Sequence, residues 1–145
     1  MSSKQILREF KFTESVPNKS AVIFVREPLL ATLGFSLWVD KDEAVVLTAN
    51  IGWVARAGSP AARFQIERSY FDPSAGIQRE VIYRCIDSAE QRSDSNRVTG
   101  ISHIDEGFVV KARVTYELVM RVVEGTGGMD LSGPITFFAE KLKVS

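Results

Sequence analysis

At 145 residues, with 45% hydrophobic and 25% charged side chains, the chain is long enough to bury a core without disulfides or a structural metal, and it lies outside the composition of disordered proteins. Its 18 Lys and Arg balance its 18 Asp and Glu and are interspersed, so no basic face follows a phosphate backbone and nucleic acid is not an expected partner. A single cysteine, Cys85, and a single histidine, His103, exclude an intrachain disulfide framework and a four-ligand zinc site, and no cofactor is expected.

From the N-terminus, MSSKQILREFKF has neither the apolar core nor the cleavage site of a secretory signal, which predicts a protein made in the cytoplasm. Almost every apolar segment that follows has a period of two, the mark of half-buried strands. The predicted strands are 6–12, 21–26, 31–39, 44–55, 62–71, 77–86, 97–104, 107–123 and 134–144. Turn chemistry separates them at VPNKS (16–20), VDKDE (39–43), RAGSP (56–60), FDPSAG (71–76), DEG (105–107) and GTGGMDLSG (125–133). The polar stretch DSAEQRSDSN at 87–96 reads as a loop. The longest apolar runs, AVVL and FVV, fall far short of the ~20 residues that span a bilayer as a helix.

Within the strand at 44–55, Val45, Leu47, Ala49, Ile51 and Trp53 share one face, so Trp53 is predicted to enter the core. Gly52, on the other face, marks a bulge or the close approach of another backbone. In the long strand the apolar face runs from Phe108 and Val110 through Tyr116 and Leu118 to Met120 and Val122. Phe64 and Ile66 complete the predicted core with Trp53 and Leu118. Eight or nine antiparallel strands, each with one apolar face, pack as two sheets or close on themselves. The expected fold is a single all-β jelly-roll sandwich over residues 1–145, with a closed up-and-down barrel as the alternative. Residues 1–15 form an N-terminal arm or a strand exchanged between subunits.

No constellation of catalytic residues stands out, and no enzymatic activity is expected. Asp105 follows His103 by two residues, on the same strand face, but no Gly-x-Ser-x-Gly elbow positions a nucleophile for them. Cys85 alternates with Val81 and Tyr83 and is expected to be a buried small hydrophobe. Asp87, Glu90 and Asp94 supply oxygen ligands in one loop, a weak calcium pattern without the spacing of an EF-hand. With Asn96 they form the candidate site of a calcium- or carbohydrate-binding module. Phe137 and Phe138 are adjacent on a strand and point to opposite faces, so both faces of the last strand call for cover. An oligomer interface is accordingly expected at Phe137, Phe138 and Tyr116.

The ordered set Gly52-Trp53, Phe64-Gln65-Ile66 with Arg68, Asp87-Ser88, Tyr116-Glu117-Leu118 and Gly133-Pro134-Ile135-Thr136-Phe137 resembles small jelly-roll proteins of spore-forming Firmicutes related to exosporium and spore-surface proteins. These have the tumour necrosis factor-like, complement globular-head fold. The resemblance covers roughly residues 44–144. It implies a tight homotrimer formed through the inner sheet and a structural, non-enzymatic role at a spore or cell surface, with other surface-layer proteins as further partners. A filament joined by addition of the N-terminal strand to a neighbour's sheet edge is the alternative assembly.

Overall fold

Strands with one apolar face are stable only when that face is covered, and here two sheets cover each other. The computed structural model describes residues 5–15, 22–24, 31–55, 61–88, 95–124 and 128–144. Its strands are β1 (Gln5–Ser15), β2 (Val22–Phe24), β3 (Ala31–Val39), β4 (Glu43–Ala55), β5 (Ala61–Asp72), β6 (Gly76–Ser88), β7 (Ser95–Asp105), β8 (Ala112–Glu124) and β9 (Gly128–Val144). The back sheet runs β1-β9-β4-β7, with β2 paired to the start of β9. The front sheet runs β3-β8-β5-β6.

From β3 onward the chain passes to the opposite sheet at every connection except the β5–β6 hairpin, and every pairing is antiparallel. That is the jelly-roll sandwich, and the two sheets remain separate, so the barrel alternative is set aside. β1 lies beside β9 of its own chain, from Gln5 opposite Val144 to Ser15 opposite Ile135. An exchange between subunits would replace this pairing with an identical one.

The core lies between Leu47, Ile51 and Trp53 of β4, Phe64 and Ile66 of β5, Tyr116 and Leu118 of β8, and Ile135 and Phe137 of β9, all almost wholly buried. Trp53 and Phe64 meet across the sheets with ring centroids 6.3 Å apart, and Phe35 and Phe137 with centroids 4.8 Å apart. Gly52 sits where the β4–β9 register shifts, between Ile51 opposite Ile135 and Trp53 opposite Leu131. The slack lies in Ser132-Gly133-Pro134 of β9, where Pro134 has no N–H to give to a ladder.

The largest departures from the sequence reading are at two boundaries. The expected strand at 107–123 begins only at Ala112, because Gly107 adopts a left-handed φ of 88° that bends the chain out of the sheet. Val109 and Val110 are consequently exposed in a loop. The expected turn at 125–133 is shortened, because β9 starts at Gly128 and pairs with both β2 and β4. Pairing with two neighbours overrides the turn preference of its glycines. The turns VPNKS and RAGSP lie outside the described residues.

Candidate functional site

The inner faces are filled by the core, so surface chemistry is carried by the outer faces, and the two differ in kind. Alternation from Trp53 places Val46, Thr48, Asn50 and Gly52 of β4 on the outer face of the back sheet. The register sets them opposite Ile104, Ser102, Gly100 and Val98 of β7. At these outer-face positions neither β4 nor β7 carries a charged side chain. Val98 is 76% exposed and Ile104 54% exposed. Beyond β4, Phe138 of β9 lies half-buried opposite Thr48.

β7 is the edge of its sheet, and edge strands usually carry a lysine, a proline or a bulge that discourages further pairing. Among the residues of β7, SNRVTGISHID, none of these occurs. Its charged side chains, Arg97 and Asp105, both belong to the inward set and are spent on contacts to the front sheet.

At one end, the Asp105 carboxylate accepts a hydrogen bond from Arg68 and another from the Tyr116 hydroxyl at 2.7 Å. Arg68 also bonds Glu80, and its guanidinium lies 5.4 Å from the centre of the Phe108 ring. Burial disfavours the Arg68 cation, but Glu80 and Asp105 outweigh this and raise its pKa. Burial, with Asp105 beside it, pushes the Tyr116 phenol far above its ordinary value, so it stays a neutral donor.

At the other end, Asp87 of β6 accepts Arg97 Nη2 at 2.8 Å and the Thr99 hydroxyl at 2.7 Å. Thr99 in turn accepts the Trp53 indole N–H at 2.8 Å. Burial alone would raise the Asp87 pKa, but the bonds from Arg97 and Thr99 prevail and lower it. Between the two networks the His103 ring packs 5.5 Å from that of Tyr83. β7 is thus fastened along its inner face, and among the described residues nothing pairs with its free edge, while Val98 and Ile104 stay exposed on its outer face.

The outer face of the front sheet is aromatic and, against the expectation drawn from charges interspersed along the sequence, basic, because alternation on paired strands gathers distant arginines onto one face. It carries Arg63, Arg79, Arg84, Arg113 and Arg121 against Glu67 and Glu117. Near the β5–β6 turn, Trp38 of β3 stands opposite Arg113 of β8, and Phe71 of β5 opposite Ile77 of β6. Trp38 is 55%, Phe71 64% and Ile77 78% exposed. The next row holds Ser36, whose hydroxyl bonds that of Thr115 at 2.7 Å, and Ser69. An open groove of about 460 Å³ runs between the rows. The turn below is fixed by Asp72, which accepts the backbone N–H of Ser74 at 2.8 Å and its hydroxyl at 2.7 Å; these bonds lower its pKa.

The sequence-derived site residues are distributed differently from their expected grouping. Phe137 and Tyr116 are wholly buried in the chain's own core, and Tyr116 serves Asp105, so of the expected interface set only Phe138 lies on an outer face. The reason is that alternation assigns a face but not the neighbour that covers it. Asp87, the first of the calcium candidates, is engaged by Arg97 and Thr99. Glu90 and Asp94 lie outside the described residues, and so does the side chain of Asn96. Among the described residues no cluster of metal-ligating side chains occurs. Asp105 serves Arg68 and Tyr116, not His103. Cys85 is half-buried across from Phe64, and burial pushes its thiol pKa up.

Trp53, Phe64, Ile66 and Leu118 are fully buried. Sequence reasoning missed Val98, Ile104, Trp38, Phe71 and Arg113. The available signal was an apolar side chain out of phase with its strand, as Trp38 is between Leu37 and Val39.

No protein-family model and no curated protein matches this chain. Among solved structures, it is similar at 14% identity and a TM-score of 0.46 to the carbohydrate-binding and catalytic modules of Clostridium thermocellum xylanase 10B, solved with xylohexaose, over 91% of this chain and 25% of that one. It is similar at 13% identity and a TM-score of 0.38 to tailspike protein 4 of bacteriophage CBA120, over 93% of this chain and 19% of that one. It is also similar at 10% identity and a TM-score of 0.34 to infectious bursal disease virus, Gx strain, over 99% of this chain and 40% of that one. The chain therefore spans less than half the length of each. Among the described residues no helix is long and apolar enough to cross a membrane.

Proposed function

We propose that this chain is a non-enzymatic structural module that assembles with copies of itself through the outer face and free edge of β7. The observation that carries this reading is the uncharged surface of β4 and β7, on which Val98 and Ile104 stand exposed beside an unguarded edge strand. Apolar side chains on a flat sheet lose contact with water when a second copy covers them, at roughly 25 cal/mol for each Å². The front sheet is a poorer self-contact, because its arginines would face one another across a symmetric interface.

A homotrimer at a spore or cell surface is the assembly that the family resemblance favours, and a filament is its competitor. Closed rotation gives the first and open strand addition the second. Light scattering on the native protein, with the Val98→Glu/Ile104→Glu double variant beside it, tests the reading. The native mass should correspond to several chains, three for the trimer, and the variant should fall to one. A native monomer, or a variant of unchanged mass, would sink the proposal.

A further inference from the structure

We infer that the outer face of the front sheet is a binding site for an acidic polysaccharide, with Arg113 gripping a carboxylate between Trp38 and Phe71. Trp38 and Arg113 are a cross-strand pair, and Phe71 follows on the far side of Arg113, one rung beyond the Tyr70–Val114 pair. With strands ~4.8 Å apart, the two aromatic positions stand about 10 Å from each other, with the Arg113 position on the strand between them. Both rings are more than half exposed. Aromatic rings that are solvated without a structural partner offer flat apolar area, and the axial C–H faces of pyranose rings are its complement.

Among the described residues Arg113 meets no carboxylate, whereas Arg79 on the same face reaches Glu117 at 3.9 Å. A planar guanidinium that meets no carboxylate among the described residues has paired N–H donors that match a carboxylate fork. The hydroxyls of Ser69 and of the Ser36–Thr115 pair line the adjacent groove and can exchange hydrogen bonds with sugar hydroxyls. The rows lie on paired strands, so the site is held by the sheet and needs no closing loop. A linear polymer of uronic acids supplies ring faces, hydroxyls and one carboxylate per sugar in a flat repeat. The site lies on the sheet opposite β7 and does not depend on self-association.

Isothermal titration calorimetry of the native protein with hexagalacturonate at low ionic strength tests this, with neutral xylohexaose and single-stranded oligodeoxynucleotide as comparators. Hexagalacturonate should bind, more weakly as salt screens Arg113, and the comparators should not. Arg113→Ala should weaken binding about tenfold, the worth of one charge-assisted hydrogen bond, and Arg113→Lys should recover only part of it. Trp38→Ala should weaken it comparably. No binding of hexagalacturonate, equal binding of either comparator, or an unchanged affinity in Arg113→Ala would each overturn the assignment.

Discussion

β7 is tied to the front sheet at both ends, by Asp105 with Arg68 and Tyr116 at one and by Asp87 with Arg97 and Thr99 at the other, yet the two ties sit in different surroundings. The Asp105 side chain is 6% exposed and that of Arg68 16%, whereas Asp87 is 24% and Arg97 39% exposed. Both carboxylates accept one bond from an arginine and one from a hydroxyl. What separates them is how much water would replace a lost partner. A buried charge left alone keeps its full desolvation penalty, and a half-exposed one is rescued by solvent.

The largest effect is therefore expected at Asp105. Asp105→Ala leaves the Arg68 cation with only the more exposed Glu80 and strips the Tyr116 hydroxyl of its acceptor, and should cost about 3–5 kcal/mol in denaturant unfolding. Removing the cation as well, in Asp105→Ala/Arg68→Met, should recover a large part of that loss, since an apolar pair has no orphaned charge. If the double variant were as unstable as the sum of the singles, the tie would be packing and not electrostatics.

Tyr116→Phe comes next. It deletes one buried donor while keeping the ring between the sheets, and should cost roughly 1.5–3 kcal/mol because the acceptor is a carboxylate. The pH dependence gives a second readout. The folded phenol is raised above its unfolded pKa of about 10, so its contribution is fully present below that value and is lost as pH rises beyond it. The variant should lose this alkaline slope. An identical slope in both proteins would mean that Tyr116 ionises freely in the folded state.

These ties also mark the limit of what the sequence alone could disclose. Strand positions were legible because a period of two is a local property, and Trp53, Phe64, Ile66 and Leu118 could be assigned to the core from phase alone. Where phase misled, a single backbone feature was responsible: Phe108-Val109-Val110 continues the alternation of β8, but the left-handed Gly107 has already taken it out of the sheet. Arg68 and Asp105 are 37 residues apart and meet across the two sheets, and Trp53 and Thr99 are 46 apart and meet on neighbouring strands of one sheet, so both contacts depend on which strands pair and which cross between sheets. The same holds for the front-face row, in which Trp38, Phe71 and Arg113 come from β3, β5 and β8. Pattern reveals that each side chain faces outward, and only topology reveals that they stand together.

The smallest expected effect, at Asp87, sharpens the comparison most because it isolates charge from shape. Asp87→Asn keeps the volume and an acceptor oxygen for Thr99 but removes the charge that Arg97 meets, and should cost about 1 kcal/mol at pH 7. The folded pKa of Asp87 is depressed, so its contribution is fully present above the unfolded value of about 3.9 and is lost as pH falls through the folded one. The stability gap between the native protein and Asp87→Asn should therefore hold from neutral pH to about 4 and close below it. Asp72, also lowered, is unchanged in the variant and cancels in the difference. A gap that stayed constant to pH 2 would assign the cost of the substitution to lost geometry at Thr99 and Trp53, making this tie a hydrogen-bond network in which the charge of Asp87 has no part.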